Sequence, residues 1–235
     1  MRGVRMRFPG SLSLKSKIAG ACRVLDDALR RFPPETLACT FTGGKDSLVA
    51  LHLLKEQAGG QVPCRVLRLD TSVKFPEILA FVEEMTARWE LDMVVARNDA
   101  ALSGGLRIAH DPTACCKALK VDALNQAIES YGIKGLITGV RADEHAQRSQ
   151  ETHFSARATP PHTRINPVLE FTEADIWNYI HQHELPYCTL YDQGYRSIGC
   201  MPCTKKVSDP KAPERTGRSL AKEEIMAKLR GLGYF

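Results

Sequence analysis

The chain is predicted to be α/β: a doubly wound parallel sheet covered by helices, with a loop-rich C-terminal lid. Short apolar runs alternate with stretches of helical periodicity, at the spacing of βαβ units, up to about residue 140. A glycine turn, Thr42-Gly43-Gly44-Lys45-Asp46-Ser47, joins one such run to a helix. Beyond residue 140 the chain turns polar and loop-rich and needs something to pack on.

Residues Leu12 to Arg30 carry apolar side chains at helical spacing, and Pro33-Pro34 stop that helix. Leu37 to Phe41 reads as a strand, and Ser47 to Gln57 as a helix with Leu48, Leu51, Leu53 and Leu54 in pattern. Cys64 to Leu69 is a second strand ending at Asp70, Glu77 to Arg88 a helix, and Asp92 to Val95 a third strand. Lys117 to Ser130 reads as a helix and Gly135 to Thr138 as a strand. Parallel sheets bind ligands beyond the carboxyl ends of their strands, where the glycine turn and Asp70 both fall. Arg141 to Pro161 reads as nearly strandless, and Thr172 caps a helix running to Gln182. Tyr191 to Pro213 is loop, and Ser219 to Arg230 a last helix. The chain thus divides into an N-terminal helical segment (1–34), a ligand-binding domain (35–171) and a lid and tail packed on that domain (172–235).

With 43% hydrophobic and 25% charged residues, 235 residues suit a soluble globular protein. No run approaches the roughly 18 apolar residues of a membrane span. The three arginines of Met1 to Phe8 precede no apolar stretch of signal type. With Ser11, Ser13 and Ser16 they have a faint transit-peptide character in too short a segment, so a cytoplasmic address without membrane contact is expected. A net charge of +5 suits anionic small ligands at least as well as nucleic acid. Eight cysteines are too few for a disulfide scaffold and more than packing needs. Cys22, Cys39, Cys64 and Cys188 have apolar neighbours and no ligand spacing, and read as core residues.

At the glycine turn, backbone N–H groups and the positive end of a helix dipole converge, so an anion belongs there. Gly43 and Gly44 let the backbone approach it, Ser47 adds a donor and Lys45 adds charge. The spacing is not that of a Walker A loop. The turn resembles the Ser-Gly-Gly-x-Asp-Ser signature of the PP-loop ATP pyrophosphatases, with Thr42 keeping the hydroxyl of the first serine. That resemblance implies an adenine nucleotide alpha hydrolase-like fold and makes Thr42, Gly43, Gly44, Asp46 and Ser47 nucleotide ligands.

Asp70-Thr71-Ser72-Val73-Lys74-Phe75-Pro76-Glu77 is similar to a segment shared by sulfonucleotide reductases and the small subunit of bacterial ATP sulfurylase, with Lys74 leaning to the latter. Asp70, at a strand end, is placed to accept from adenine or ribose. Arg141-Ala142-Asp143-Glu144-His145-Ala146-Gln147-Arg148 gathers two arginines and two carboxylates. Arginines suit phosphate or sulfate, and a carboxylate pair suits magnesium. The segment resembles the sulfurylase loop, with Ala142 replacing its second arginine. His145, His153 and His162 lack ligand spacing and read as loop histidines.

Cys115-Cys116 and the Cys-x-x-Cys of Cys200 and Cys203 offer four thiolates, the ligand set of zinc or an iron–sulfur cluster, a redox-active disulfide being the other functional reading. Adjacent cysteines project apart, which points away from ordinary zinc. The arrangement resembles assimilatory adenylyl-sulfate reductases, in which all four bind a 4Fe–4S cluster near the nucleotide. Those reductases attack the sulfonucleotide with a tail cysteine, and this chain has no cysteine after Cys203. Pro213-Glu214-Arg215-Thr216-Gly217-Arg218 resembles both relatives, and Arg215 and Arg218 are positioned to close over an anionic ligand; the terminal Gly-Tyr-Phe resembles the sulfurylase subunit.

The expectation from these resemblances is adenylyl transfer from ATP to an oxyanion such as sulfate, with Lys45, Asp46, Arg141, Asp143 and Arg148 as catalytic residues. Lys45 and Mg2+ would stabilise departing pyrophosphate. A GTPase subunit would be the partner, docked by Tyr234-Phe235. The second reading is a reductase-like enzyme that takes its nucleophile from a thiol-donor protein or small thiol. A cluster-bearing sulfurtransferase and a sulfonucleotide sensor are the others.

Overall fold

The computed structural model describes residues 12–209 and 211–234. The Met1 to Phe8 arginines, Ser11 and Phe235 lie outside the described residues. Helix α1 (Leu14–Arg31) begins where the Ser13 hydroxyl accepts from the Ser16 amide, and carries Arg30 and Arg31 in its last turn. After a single 3-10 turn come β1 (Leu37–Thr40), the glycine turn, α2 (Lys45–Gln57), β2 (Arg65–Leu69), α3 (Pro76–Arg88) and β3 (Met93–Ala96). Two short helices follow, α4 (Asp99–Ser103), capped by Asn98, and α5 (Pro112–Cys116), capped by Asp111. A π turn, Lys117–Asp122, carries α5 into α6 (Ala123–Ser130), which leads to β4 (Gly135–Ile137).

A hairpin, β5 (Phe154–Arg157) and β6 (His162–Ile165), precedes α7 (Glu173–Gln182), and α8 (Leu220–Glu224) and α9 (Met226–Gly231) close the chain. Thr172 and Asp175 form a reciprocal capping box at the start of α7. The strand order is β3-β2-β1-β4-β6-β5, parallel throughout except for β5 against β6. From β1 the chain winds outward through β2 to β3, then returns to β4 on the other side of β1. The carboxyl ends of β1 and β4 therefore flank the switch point where such sheets open a crevice.

Successive strand residues face opposite layers. Cys39, Val66 and Ile137 pack in the core with side chains of α1, α2, α3 and α7, whereas Ala38, Leu67 and Leu136 pack with Leu124, Ala127 and Ile128 of α6. Cys39, Cys64 and Cys188 are buried in the first of these layers, and Cys22 packs against it. Among the described residues no helix is long and apolar enough to cross a membrane.

Three expectations need correction. The stretch after Arg141 is not strandless, for β5 lies within it and β6 follows it. Arg157, His162 and Arg164 give these strands a polar face that hides alternation. The helical run expected from Lys117 begins earlier: Asp111 and Pro112 start α5 one turn before it, so Cys115 and Cys116, which still precede the π turn and α6, are themselves helical. The last helix breaks at Ile225 (φ −96°, ψ 10°), although Lys222, Met226 and Leu229 are buried in one continuous pattern that gives no sign of the break.

Candidate active site

The main cavity, about 220 Å³, opens at the switch point. Thr42, Gly44, Lys45, Asp46 and Ser47 form one end of it. The Ser47 hydroxyl accepts from the Thr42 amide (3.2 Å) and donates to the Gly44 carbonyl (2.9 Å), which closes the turn on itself. Gly43 does not line the cavity: at φ +78° it turns toward α3, where a Cβ would lie 3.0 Å from Ile78 and Val82. Gly139, after β4, does line it, and a Cβ there would stand 2.6 Å from the Ser47 amide nitrogen. Only glycine lets the two loops approach so closely.

A buried ion network ties this end together. Lys45 Nζ donates to Glu214 and to the Arg196 carbonyl (3.0 Å), and its backbone amide donates to the Tyr191 hydroxyl (2.9 Å). Arg141, fully buried, donates to Asp46 (2.6 Å), Asp143 and Glu214. Arg148 pairs with Glu144, and Arg215 with Glu223 (2.7 Å) and Glu144 (3.3 Å). Burial alone would lower Lys45 and raise Asp46. Asp46, Tyr191 and Glu214 instead hold Lys45 well above the usual ammonium range, and Lys45 and Arg141 hold Asp46 below the usual carboxylate range. Burial, with Asp46 nearby, pushes Glu214 up. The carboxylate oxygens of Asp46, Glu144 and Glu214 lie within 4.8 Å of one another, but each already faces a lysine or arginine.

The opposite end differs in charge. Lys74, Lys120, Arg164 and Arg218 line it, and among the described residues no carboxylate lies within 4.0 Å of them. Burial and then the Lys120 charge push Lys74 down to about 8. The Tyr234 hydroxyl sits 2.6 Å from Lys222 Nζ and 3.2 Å from Lys120 Nζ; these cations outweigh burial and bring it down to about 7. Leu67, Val121, Leu124 and Leu136 also line the cavity and give it an apolar wall.

Cys115, Cys116, Cys200 and Cys203 line one closed cavity beside this cationic end, together with Thr71, Lys120 and Lys222. The Cys-x-x-Cys turn is fixed by the Met201 amide donating to the Val73 carbonyl (2.8 Å), and Cys200 Sγ lies 3.2 Å from the Thr71 hydroxyl. Burial would raise the Cys200 thiol, but Lys120 and Lys74 overcome it and bring Cys200 down to about 7; burial pushes Cys115 up. Four thiols in one cavity, with Lys120 and the buried Lys222 to balance thiolate charge, fit a metal–thiolate centre. Among the described residues no three of these sulfurs come within 4.8 Å of one another.

Of the expected nucleotide ligands, Thr42, Gly44, Asp46, Ser47, Lys74, Arg215 and Arg218 line the main cavity, as do Lys45 and Arg148. Arg141 and Asp143 stand behind its wall and brace Asp46 and Glu214. Asp70 is turned away, accepting from the Ser72 amide (2.8 Å) and Arg97 (3.3 Å). Sequence reasoning missed Glu214, Tyr191, Lys120, Arg164 and Tyr234 as site residues. Lys120, four residues after Cys116, and Glu214, inside the quoted tail segment, had a positional signal.

The phosphoadenosine phosphosulfate reductase domain matches residues 36–206. An adenosine 5'-phosphosulfate reductase of Salinibacter ruber is 30% identical over 181 residues, covering 74% of this chain and 70% of that protein. One from Geobacillus sp. (strain WCH70) is 30% identical over 199 residues, 81% of this chain and 82% of that protein. Among solved structures, the phosphate complex of Candida auris phosphoadenylyl-sulfate reductase superposes with a TM-score of 0.66 at 22% identity, over 84% of this chain and 98% of that one. Candida glabrata FMN adenylyltransferase gives 0.67 at 18% identity, over 93% and 80%, and shares the fold. The chain belongs to the phosphoadenosine phosphosulfate reductase family.

Proposed function

We propose that the chain is a sulfonucleotide reductase of sulfate assimilation that binds adenylyl sulfate in the main cavity and receives its attacking thiol from outside residues 1–235. The observation that carries this reading is Lys120, which lines both the nucleotide cavity and the cysteine cavity. A phosphosulfate held among Lys74, Lys120 and Arg218 lies next to the thiol centre, while the apolar wall takes the adenine. The kinship with adenosine 5'-phosphosulfate reductases supports this chemistry over adenylyl transfer from ATP. Adenylyl transfer also calls for a divalent ion, and the carboxylate trio that would hold one already carries protein cations.

In the reaction a thiolate attacks the sulfur of adenylyl sulfate, the S–O bond to phosphate breaks and AMP leaves with that electron pair. A second thiol then attacks the thiol-derived sulfur of the thiosulfonate, releasing sulfite and leaving a disulfide, so two thiols are oxidised as S(VI) becomes S(IV). The buried cations of the cavity stabilise the charge gathering on the departing phosphate. A 4Fe–4S cluster on Cys115, Cys116, Cys200 and Cys203 would supply a fixed electrostatic centre beside the phosphosulfate. No cysteine follows Cys203 within residues 1–235, so the nucleophile is a thiol from outside these residues, such as that of a thiol-donor protein or a small dithiol.

The test is an anaerobic assay of sulfite release from adenylyl sulfate with thioredoxin or dithiothreitol, run beside pyrophosphate release from ATP and sulfate. Sulfite formation that depends on both protein and thiol is expected. Pyrophosphate without sulfite would replace this reading with adenylyl transfer.

A further inference from the structure

Arg164 is 3% exposed and lies on β6, between parallel β4 and antiparallel β5. It is in register with Leu136 of β4, so both side chains stand on the face where Leu136 lines the main cavity, and Arg164 lines it too. Among the described residues its one side-chain hydrogen bond joins a terminal nitrogen to the Gly233 carbonyl (2.7 Å), and its Nε, fully buried, has no hydrogen-bond partner. The carboxylate it feels, Glu151, is engaged by Arg157 (2.6 Å) and Arg230 (3.2 Å). Burial and the neighbouring Arg157 charge push the guanidinium down to about 10.

A buried guanidinium without a counterion is costly, and proteins keep buried charges paired or ligated. The cations at the glycine-turn end satisfy that rule with Asp46, Glu144 and Glu214. Among the described residues Arg164 pairs directly with no carboxylate, and its planar fork suits two oxygens of one oxyanion.

We propose that Arg164 is an oxyanion-binding residue of the main cavity, completing its coordination with a phosphate-type or sulfate-type group. The inference rests on the reading of the cavity as a sulfonucleotide site and adds to it a residue outside the glycine turn, the 141–148 loop and the tail arginines. Because the same guanidinium holds Gly233, the ligand and the end of the chain meet at one side chain.

The experiment measures binding of AMP, adenosine and sulfite to the anaerobically prepared wild-type protein and to Arg164→Gln and Arg164→Lys. Loss of a charge-assisted hydrogen-bond pair is expected to weaken AMP about tenfold or more in Arg164→Gln, leaving adenosine within about twofold. Arg164→Lys, which keeps the charge and loses the fork, should fall between, and decides the matter if Arg164→Gln does not fold. A loss confined to sulfite would assign the oxyanion to the free product. Equal losses for AMP and adenosine, or no loss for any ligand, would overturn the proposal and leave Arg164 a brace for Gly233. A wild-type protein that fails to discriminate AMP from adenosine would instead sink the functional reading.

Discussion

Glu214 accepts hydrogen bonds from both Lys45 and Arg141, so one tail carboxylate clamps the chain onto the glycine turn and onto the loop after β4. Both cations are at most 1% exposed. Removing one partner of a buried ion pair costs about 3–5 kcal/mol, because the other is left uncompensated. Glu214→Ala should lose about that much stability in denaturant titration, and Glu214→Gln less. A loss under about 1 kcal/mol would mean that Asp46 and Asp143 alone satisfy the two cations.

Gly139→Ala should disable nucleotide binding. Its Cβ would meet backbone, 2.6 Å from the Ser47 nitrogen and 2.7 Å from the Asp46 carbonyl carbon, and backbone cannot rotate away as a side chain can. Overpacking of this kind costs about 1–3 kcal/mol. Calorimetric titration with AMP should show at least a tenfold loss, roughly 1.4 kcal/mol; unchanged affinity would show that the turn can move away from β4.

Serine in place of Cys115, Cys116, Cys200 or Cys203 should remove most of the iron and acid-labile sulfide from anaerobically purified protein. Cys188→Ser, in the apolar core, should leave both in place. A colourless, zinc-loaded wild-type protein would contradict the cluster.

His52 predicts a pH effect on folding. Its Nδ1 lies 2.9 Å from the Tyr179 hydroxyl, and burial pushes the ring from 6.5 down to about 4. Above pH 6.5 the ring is neutral in both states and contributes nothing. Between about 6.5 and 4 the unfolded chain binds a proton that the folded ring refuses, so stability falls with pH and levels off below 4. The effect should reach roughly 2–3 kcal/mol, allowing for partial exposure of the ring. Denaturant midpoints at pH 7, 5.5 and 4.5 should fall more steeply for wild type than for His52→Gln; parallel slopes would remove His52 as the cause.

The strands β1, β2, β3 and β4 were legible because they are largely apolar runs bounded by turns, and the glycine turn and four cysteines announce themselves by spacing. β5 and β6 were not, since Arg164 and His162 occupy buried positions that pattern reading reserves for apolar residues. The ligand-facing residues were legible only where a motif carried them. Glu214 lay in a quoted tail motif, yet its ion pairs span 169 and 73 residues of sequence, and no local pattern encodes such a meeting. Asp70 shows the converse: its strand-end position suited a ligand, but the Ser72 amide and Arg97 claim its oxygens first.

The π turn of Lys117–Asp122 sets the phase between two functions of one helical rod. On its amino side the rod presents Cys115 and Cys116, and on its carboxyl side α6 presents Leu124, Ala127 and Ile128 to the sheet. Each residue added to or removed from an α-helix rotates everything beyond it by about 100°. A further residue inserted in the turn would therefore let α6 stay docked only by swinging the cysteine pair off its cavity. Insertions between Cys116 and Leu124 should be far less tolerated than substitutions there, since the segment acts as a gear tooth between the metal-binding and sheet-packing faces.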